Sequence, residues 1–149
     1  MNDAKTALGL RIRAMKKKKG WTWAEVAEKL GHAPVWTCAA CLGQMSMTPE
    51  TADKTGVLFD LSEDEVALLA EAPYRGSLPT AVPTDPLIYR FYELIQVYGT
   101  TWKDMIHEEF GDGIMSAIDF DMTLERQPDQ KGDRVKMTMS GKFLSYKRY

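Results

Sequence analysis

Apolar positions recur with helical spacing through the first half of this chain. Ala4, Ala7, Leu8, Leu10, Ile12 and Met15 predict a helix over residues 3–18, closed by the run Lys16 to Lys19 before Gly20. Basic side chains suit a helix C-terminus because they face its unsatisfied carbonyls. The next segment, TWAEVAEKLG, opens on a Thr22/Glu25 capping box. It carries the stripe Trp23, Val26, Ala27 and Leu30, and it stops at Gly31. VWTCAACLGQ predicts a third helix running to about Gln44. PETADKTGVLF and SEDEVALLAEAP predict two more, starting at Pro49 and Ser62.

The pattern then breaks. APYRGSLPTAVPTDP, residues 72–86, holds four prolines and Gly76, which forbid a continuing helix and favour a stiff, extended path. Asp85 and Pro86 supply an N-cap and a first helical position for a helix expected to end at Gly99. A second helix is expected from Thr100 or Thr101 to Gly111. From residue 114 the period falls to two. Ile114, Ser116, Ile118, Phe120, Met122 and Leu124 alternate with Asp119, Asp121, Thr123 and Glu125, as a strand with one buried face would. After the turn-rich QPDQKGD, RVKMTMS alternates again, so an antiparallel pair is expected. The expected fold class is α+β, with a helical unit at residues 1–75, a connector at 76–86 and a second unit at 87–149. A strand pair with two helices makes too small a core to stand alone, which points to an obligate oligomer.

Composition narrows the function classes. Of 149 residues, 44% are hydrophobic and 27% charged, the profile of a soluble globular protein. No apolar run reaches membrane-spanning length, and the first twenty residues lack a secretory h-region and cleavage site, so a cytoplasmic location without membrane association is expected. The net charge of −2 gives no global attraction to nucleic acid.

Residues 22–44 have the helix, glycine turn, helix layout of a helix-turn-helix, so a DNA-binding regulator is the alternative to weigh. A recognition helix must present Arg, Lys, Asn or Gln to phosphates and bases. This one offers only Gln44, and no lysine or arginine occurs from Leu30 to Asp53. The shape therefore reads as a helix-turn-helix-like packing unit with no nucleic-acid partner. Cys38 and Cys41 form a lone C-x-x-C without a second ligand pair, and read as two small buried residues on a helix. His32 and His107 lack metal-ligand spacing and read as structural or solvent-facing.

The candidate chemistry lies in YRFYELIQVYGTT. On a helical wheel Leu87, Ile88, Phe91, Leu94, Ile95 and Tyr98 share one arc, with Arg90 and Glu93 together at its edge. As a stability device the pair is poor, because Arg preceding Glu opposes the helix dipole. Partly desolvated against the aromatic flank, a guanidinium could instead hold a small anion while the carboxylate orients it or handles a proton. Ser116 is a hydroxyl at an inward position of an apolar strand face. It can be satisfied by backbone, or it can donate to a ligand beside the flexible GDGI turn. From the residues alone both readings stand.

The run PTDPLIYRFYELIQVYGTTWKDMIHEEFGDGIMSAIDF closely resembles the signature region of the cyanase family, also called cyanate hydratase or cyanate lyase. The resemblance extends over the whole chain, including the GKFL-type ending; the CAAC helix is the main departure and touches no catalytic position. It implies bicarbonate-dependent decomposition of cyanate to ammonia and carbon dioxide by way of carbamate. Catalytic roles would fall on Arg90, Glu93 and Ser116, and substrate contacts on Arg90, Ser116, Ala117 and Ile114. It implies no metal and no organic cofactor, bicarbonate being a co-substrate. It also implies a homodecamer, a pentamer of interlocked dimers, with residues 87–149 as the catalytic and dimerisation domain.

Overall fold

The computed structural model describes residues 3–149, so the first two residues of the predicted 1–75 unit lie outside it. The chain separates into two compact units, Met1–Ser77 and Leu78–Tyr149.

The first unit holds five helices: α1 Asp3–Lys18, α2 Trp23–Leu30, α3 Pro34–Cys41, α4 Pro49–Phe59 and α5 Glu63–Ala70. Their starts follow the local chemistry. Thr22 and Ser62 both close full capping boxes with Glu25 and Glu65, and Thr48 accepts the Thr51 amide. Gly31 ends α2 in the left-handed region at φ 76°. Leu8, Ile12, Val26, Leu30, Ala40, Met47, Ala52, Phe59 and Leu69 fill the core, with Trp21 set edge-on to Phe59 at 6.0 Å. α3 stops three residues short of the expected Gln44. Leu42 caps it, and Gly43 at φ 86° turns the chain away. Close packing fixes one glycine: a Cβ on Gly56 of α4 would lie 2.4 Å from Val66 Cγ2 of α5.

The second unit holds α6, Pro86–Phe110, and an antiparallel pair, β1 Gly113–Gln127 and β2 Arg134–Ser145. Here the expectation of two helices is corrected, since a single helix of 25 residues runs straight through Gly99. Glycine ends a helix by adopting positive φ, and Gly99 does not adopt it. The apolar stripe Ile95, Tyr98, Trp102 and Met105 continues in helical phase across it, with Tyr98 stacked on Trp102 at 6.2 Å. An interior glycine costs only about 1 kcal/mol, too little to break such a helix.

The strand alternation also needs correcting. β1 and β2 pair in register from Gln127↔Arg134 to Phe120↔Gly141, then resume at Met115↔Phe143. Ser116, Ala117, Ile118 and Asp119 therefore stand opposite Lys142 alone, a large bulge. It breaks the period-two phase, leaving Ser116 4% and Ile118 98% exposed. Within this one chain no residue of α6 is buried, and Leu87, Phe91, Leu94, Ile95, Trp102 and Met105 are exposed along it. Val135, Met139 and Leu124 are exposed on the strands.

Candidate active site

α6 begins where Asp85 accepts the amides of Leu87 and Ile88 at 2.9 and 3.0 Å, with Pro86 in the first turn. One turn on, Arg90 Nε donates to the Pro86 carbonyl at 3.1 Å, and Arg90 Nη1 meets Glu93 Oε2 at 3.0 Å. The guanidinium lies 5.4 Å from the centre of the Tyr89 ring, and Tyr89 and Tyr92 stand 5.7 Å apart. Glu93 and the Pro86 carbonyl thus fix the plane of the guanidinium while its Nη2 hydrogens remain for an incoming acceptor. In the single chain the two side chains are 61% and 50% exposed.

Ser116 belongs to the β1 bulge, and its position follows from the turn that feeds the strand. α6 closes at Gly111, whose amide donates to His107 O at 2.9 Å, and β1 starts two residues later at Gly113. His107 Nε2 lies 3.3 Å from the Gly113 carbonyl, the Tyr146 amide donates to Asp112 O at 3.1 Å, and Phe110 stacks on Phe143 at 5.1 Å. Ser116 Oγ accepts from the amides of Ile118 and Asp119, each at 3.0 Å. Ala117 and Ile114 are exposed beside it.

The structure thus brings Arg90 and Glu93 together and gives Ser116 a buried, backbone-bonded position. Among the described residues no hydrogen bond within the chain joins Ser116 to either of them. Gly141, which shapes the bulge, escaped the sequence reading, whereas Gly113 lies in the GDGI turn already noted. A Cβ on Gly141 would lie 2.4 Å from the Ser116 carbonyl oxygen, and one on Gly113 would lie 2.3 Å from Leu144 O. An isolated glycine inside an alternating strand is the signal that could have found Gly141.

The other candidates stay apart from this constellation. His32 bonds Thr51 Oγ1 at 3.0 Å and packs on Trp36. Both cysteines are free thiols. Burial pushes the Cys41 thiol up to about 12, with the Cys38 side chain adding to it, and burial also raises Cys38. Lys5, not singled out by the sequence, is buried with its ammonium on the Glu71 carbonyl, and desolvation lowers its pKa. Gln44 accepts the Gly76 amide at 2.8 Å, so the one residue of its segment suited to a base edge is already engaged. An apolar groove between α4 and α5, lined by Ala52, Gly56, Val57, Leu61 and Val66, contains none of the candidate site residues. Among the described residues no cluster of His, Cys, Asp or Glu is placed to hold a metal, and no helix is long and apolar enough to cross a membrane.

Comparison with known proteins covers both units. Residues 5–73 match the family profile described as cyanate hydratase, N-terminal, and residues 80–148 match that of the cyanate lyase C-terminal domain. The cyanate hydratase of Dechloromonas aromatica is 64% identical over 93% of this chain and 94% of its own. That of Methylibium petroleiphilum is 62% identical over 93% and 95%. Among solved structures, the cyanase from T. urticae superposes with a TM-score of 0.79 at 36% identity, covering 93% of this chain and 96% of that one.

Proposed function

This chain belongs to the cyanase family, also called cyanate hydratase or cyanate lyase, and from that premise we propose that Arg90, Glu93 and Ser116 form its reaction site. It is a lyase that decomposes cyanate; the observation that carries this is the match to named cyanate hydratases across both units. The helical unit, although laid out like a helix-turn-helix, serves packing and not DNA reading, because α3 carries neither Arg nor Lys.

The finer chemistry is bicarbonate-dependent. A bicarbonate oxygen attacks the cyanate carbon and the cyanate nitrogen takes up a proton. The adduct loses carbon dioxide to leave carbamate, and protonated carbamate breaks to ammonia and a second carbon dioxide. Overall, cyanate, bicarbonate and two protons give ammonia and two carbon dioxides.

Both reactants are monoanions, which repel by about 4 kcal/mol at 4 Å separation and an effective dielectric of 20. Arg90 offsets that repulsion, and Ser116 and the Ala117 amide donate to the same pair, with Ile114 alongside. Holding both reactants in one orientation removes several further kcal/mol of barrier. Glu93 orients the guanidinium, a role supported by the 3.0 Å contact between them. No organic cofactor or metal enters this scheme.

The assembly is a homodecamer of interlocked dimers, with each site built from more than one subunit. The exposed apolar face of α6 and the exposed Val135, Met139 and Leu144 of β2 support this, since such surface calls for a partner. A cytoplasmic setting accords with two free cysteines.

The test is ammonia release from cyanate with and without bicarbonate, on protein sized by light scattering. Release only with bicarbonate is expected. Release without it refutes the co-substrate role, and none at all from assembled protein refutes the activity. In the same assay Glu93→Gln should lose turnover; full activity with a wild-type pH profile would remove Glu93 from the mechanism.

A further inference from the structure

We propose that Gly141 is a positioning residue for this reaction, because its missing side chain admits the Ser116 carbonyl and holds the bulge that makes Ser116 Oγ a one-way hydrogen-bond donor. The proposal rests on the reading of Ser116 given above and adds a residue and a device to it.

A hydroxyl has two acceptor lone pairs and one proton to give. At Ser116 both lone pairs are occupied, by the Ile118 and Asp119 amides at 3.0 Å. Only the proton is left to offer, so Ser116 can give a hydrogen bond to an anion. The two N–H groups draw electron density from the oxygen and strengthen that gift. Nucleophilic attack would require a lone pair to be released from the backbone first. Bulges commonly re-aim a side chain next to an active site, and this one turns the backbone of residues 116–119 around the hydroxyl.

The bulge fits against β2 because residue 141 is a glycine. A Cβ there would lie 2.4 Å from Ser116 O, 2.6 Å from Met115 Cγ and 3.3 Å from Met115 Sδ. The Met115 side chain can yield; the Ser116 carbonyl is backbone and cannot move without carrying Ser116 with it. Gly141 does not adopt positive φ, so space and not backbone conformation demands a glycine there. Restoring an ordinary contact of 3.4 Å displaces the Ser116 peptide by roughly 1 Å, a misplacement that can cost about 100-fold in rate.

The experiment compares wild type, Ser116→Ala, Gly141→Ala and the double variant as full-length, size-checked protein. The readouts are kcat and KM for cyanate at saturating bicarbonate. Gly141→Ala is expected to lower kcat by about 100-fold with native size, and the double variant is expected to be no slower than Ser116→Ala alone. Losses that multiply in the double variant, or wild-type kcat in Gly141→Ala, would overturn the proposal. Should Gly141→Ala fail to assemble, Ser116→Cys in the intact bulge decides. A weak thiol donor predicts loss of turnover, whereas retained turnover overturns the one-way donor. Wild-type protein inactive on cyanate would instead overturn the functional reading itself, which separates the two failures.

Discussion

Replacing Arg90 by Gln separates a chemical role from a structural one. The Arg90–Glu93 pair is a half-exposed i,i+3 contact with the cation nearer the helix N-terminus, a class worth about 0.2–0.5 kcal/mol. The Nε bond to the Pro86 carbonyl adds about 0.5–1.5 kcal/mol. Removing both should therefore cost no more than about 2 kcal/mol of stability, a shift of several degrees in melting temperature. For turnover, the guanidinium offsets about 4 kcal/mol of repulsion between two monoanions. Each 1.36 kcal/mol is tenfold in rate, so kcat/KM should fall about 1,000-fold. Arg90→Lys should recover part of this, since it restores the charge without the planar fork. The assay is ammonia release at saturating bicarbonate, run beside thermal melting and light scattering on the same sample. Activity within tenfold of wild type would refute the electrostatic argument. A loss of activity that simply tracks loss of assembly would return Arg90 to a structural role.

Two further predictions concern the helical unit. Gly56→Ala should destabilise by about 1–2 kcal/mol, because the overlap of its Cβ with Val66 Cγ2 at 2.4 Å outweighs the gain of about 1 kcal/mol in helix propensity. In a Val66→Ala background the same change should turn stabilising, and chemical denaturation that shows the same sign in both backgrounds would refute the packing argument. Cys41, held protonated up to about 12 by burial, contributes stability that is complete below about pH 8.5, the ordinary thiol value, and is lost as pH rises toward 12. The stability gap between wild type and Cys41→Ala should therefore narrow above pH 8.5 by up to about 1.4 kcal/mol per pH unit. A constant gap in denaturation curves at pH 8, 9 and 10 would show that burial does not hold the proton.

Much of this protein is written in local sequence. Thr22, Thr48, Ser62 and Asp85 start their helices by bonds that reach two or three residues ahead, so the starts of α2, α4, α5 and α6 are readable without any tertiary partner. The same locality places Arg90 and Glu93 together, since residues three apart on a helix are neighbours by geometry alone. The family resemblance is equally local, carried by one unbroken run of letters. What lay beyond the sequence depends on distant chain. Gly99 is the exception, a local misreading: the apolar stripe across it already marked a continuing helix, and its φ does not turn positive. The alternation from Ile114 to Leu124 placed Ser116 inward, as it is, but predicted an unbroken strand, whereas pairing with β2 inserted a bulge over residues 116–119 and turned Ile118 out. Gly56 gave no local sign of its role, and Gly141 only the hint of a glycine inside an alternating strand, because each is fixed by an atom on another element, Val66 Cγ2 in one case and the Ser116 carbonyl in the other. Sequence determined which elements form and which charges are neighbours, through bonds a few residues long; the tertiary structure decided strand register, close approach and the direction in which Ser116 can donate, because steric exclusion acts between segments that only folding brings together.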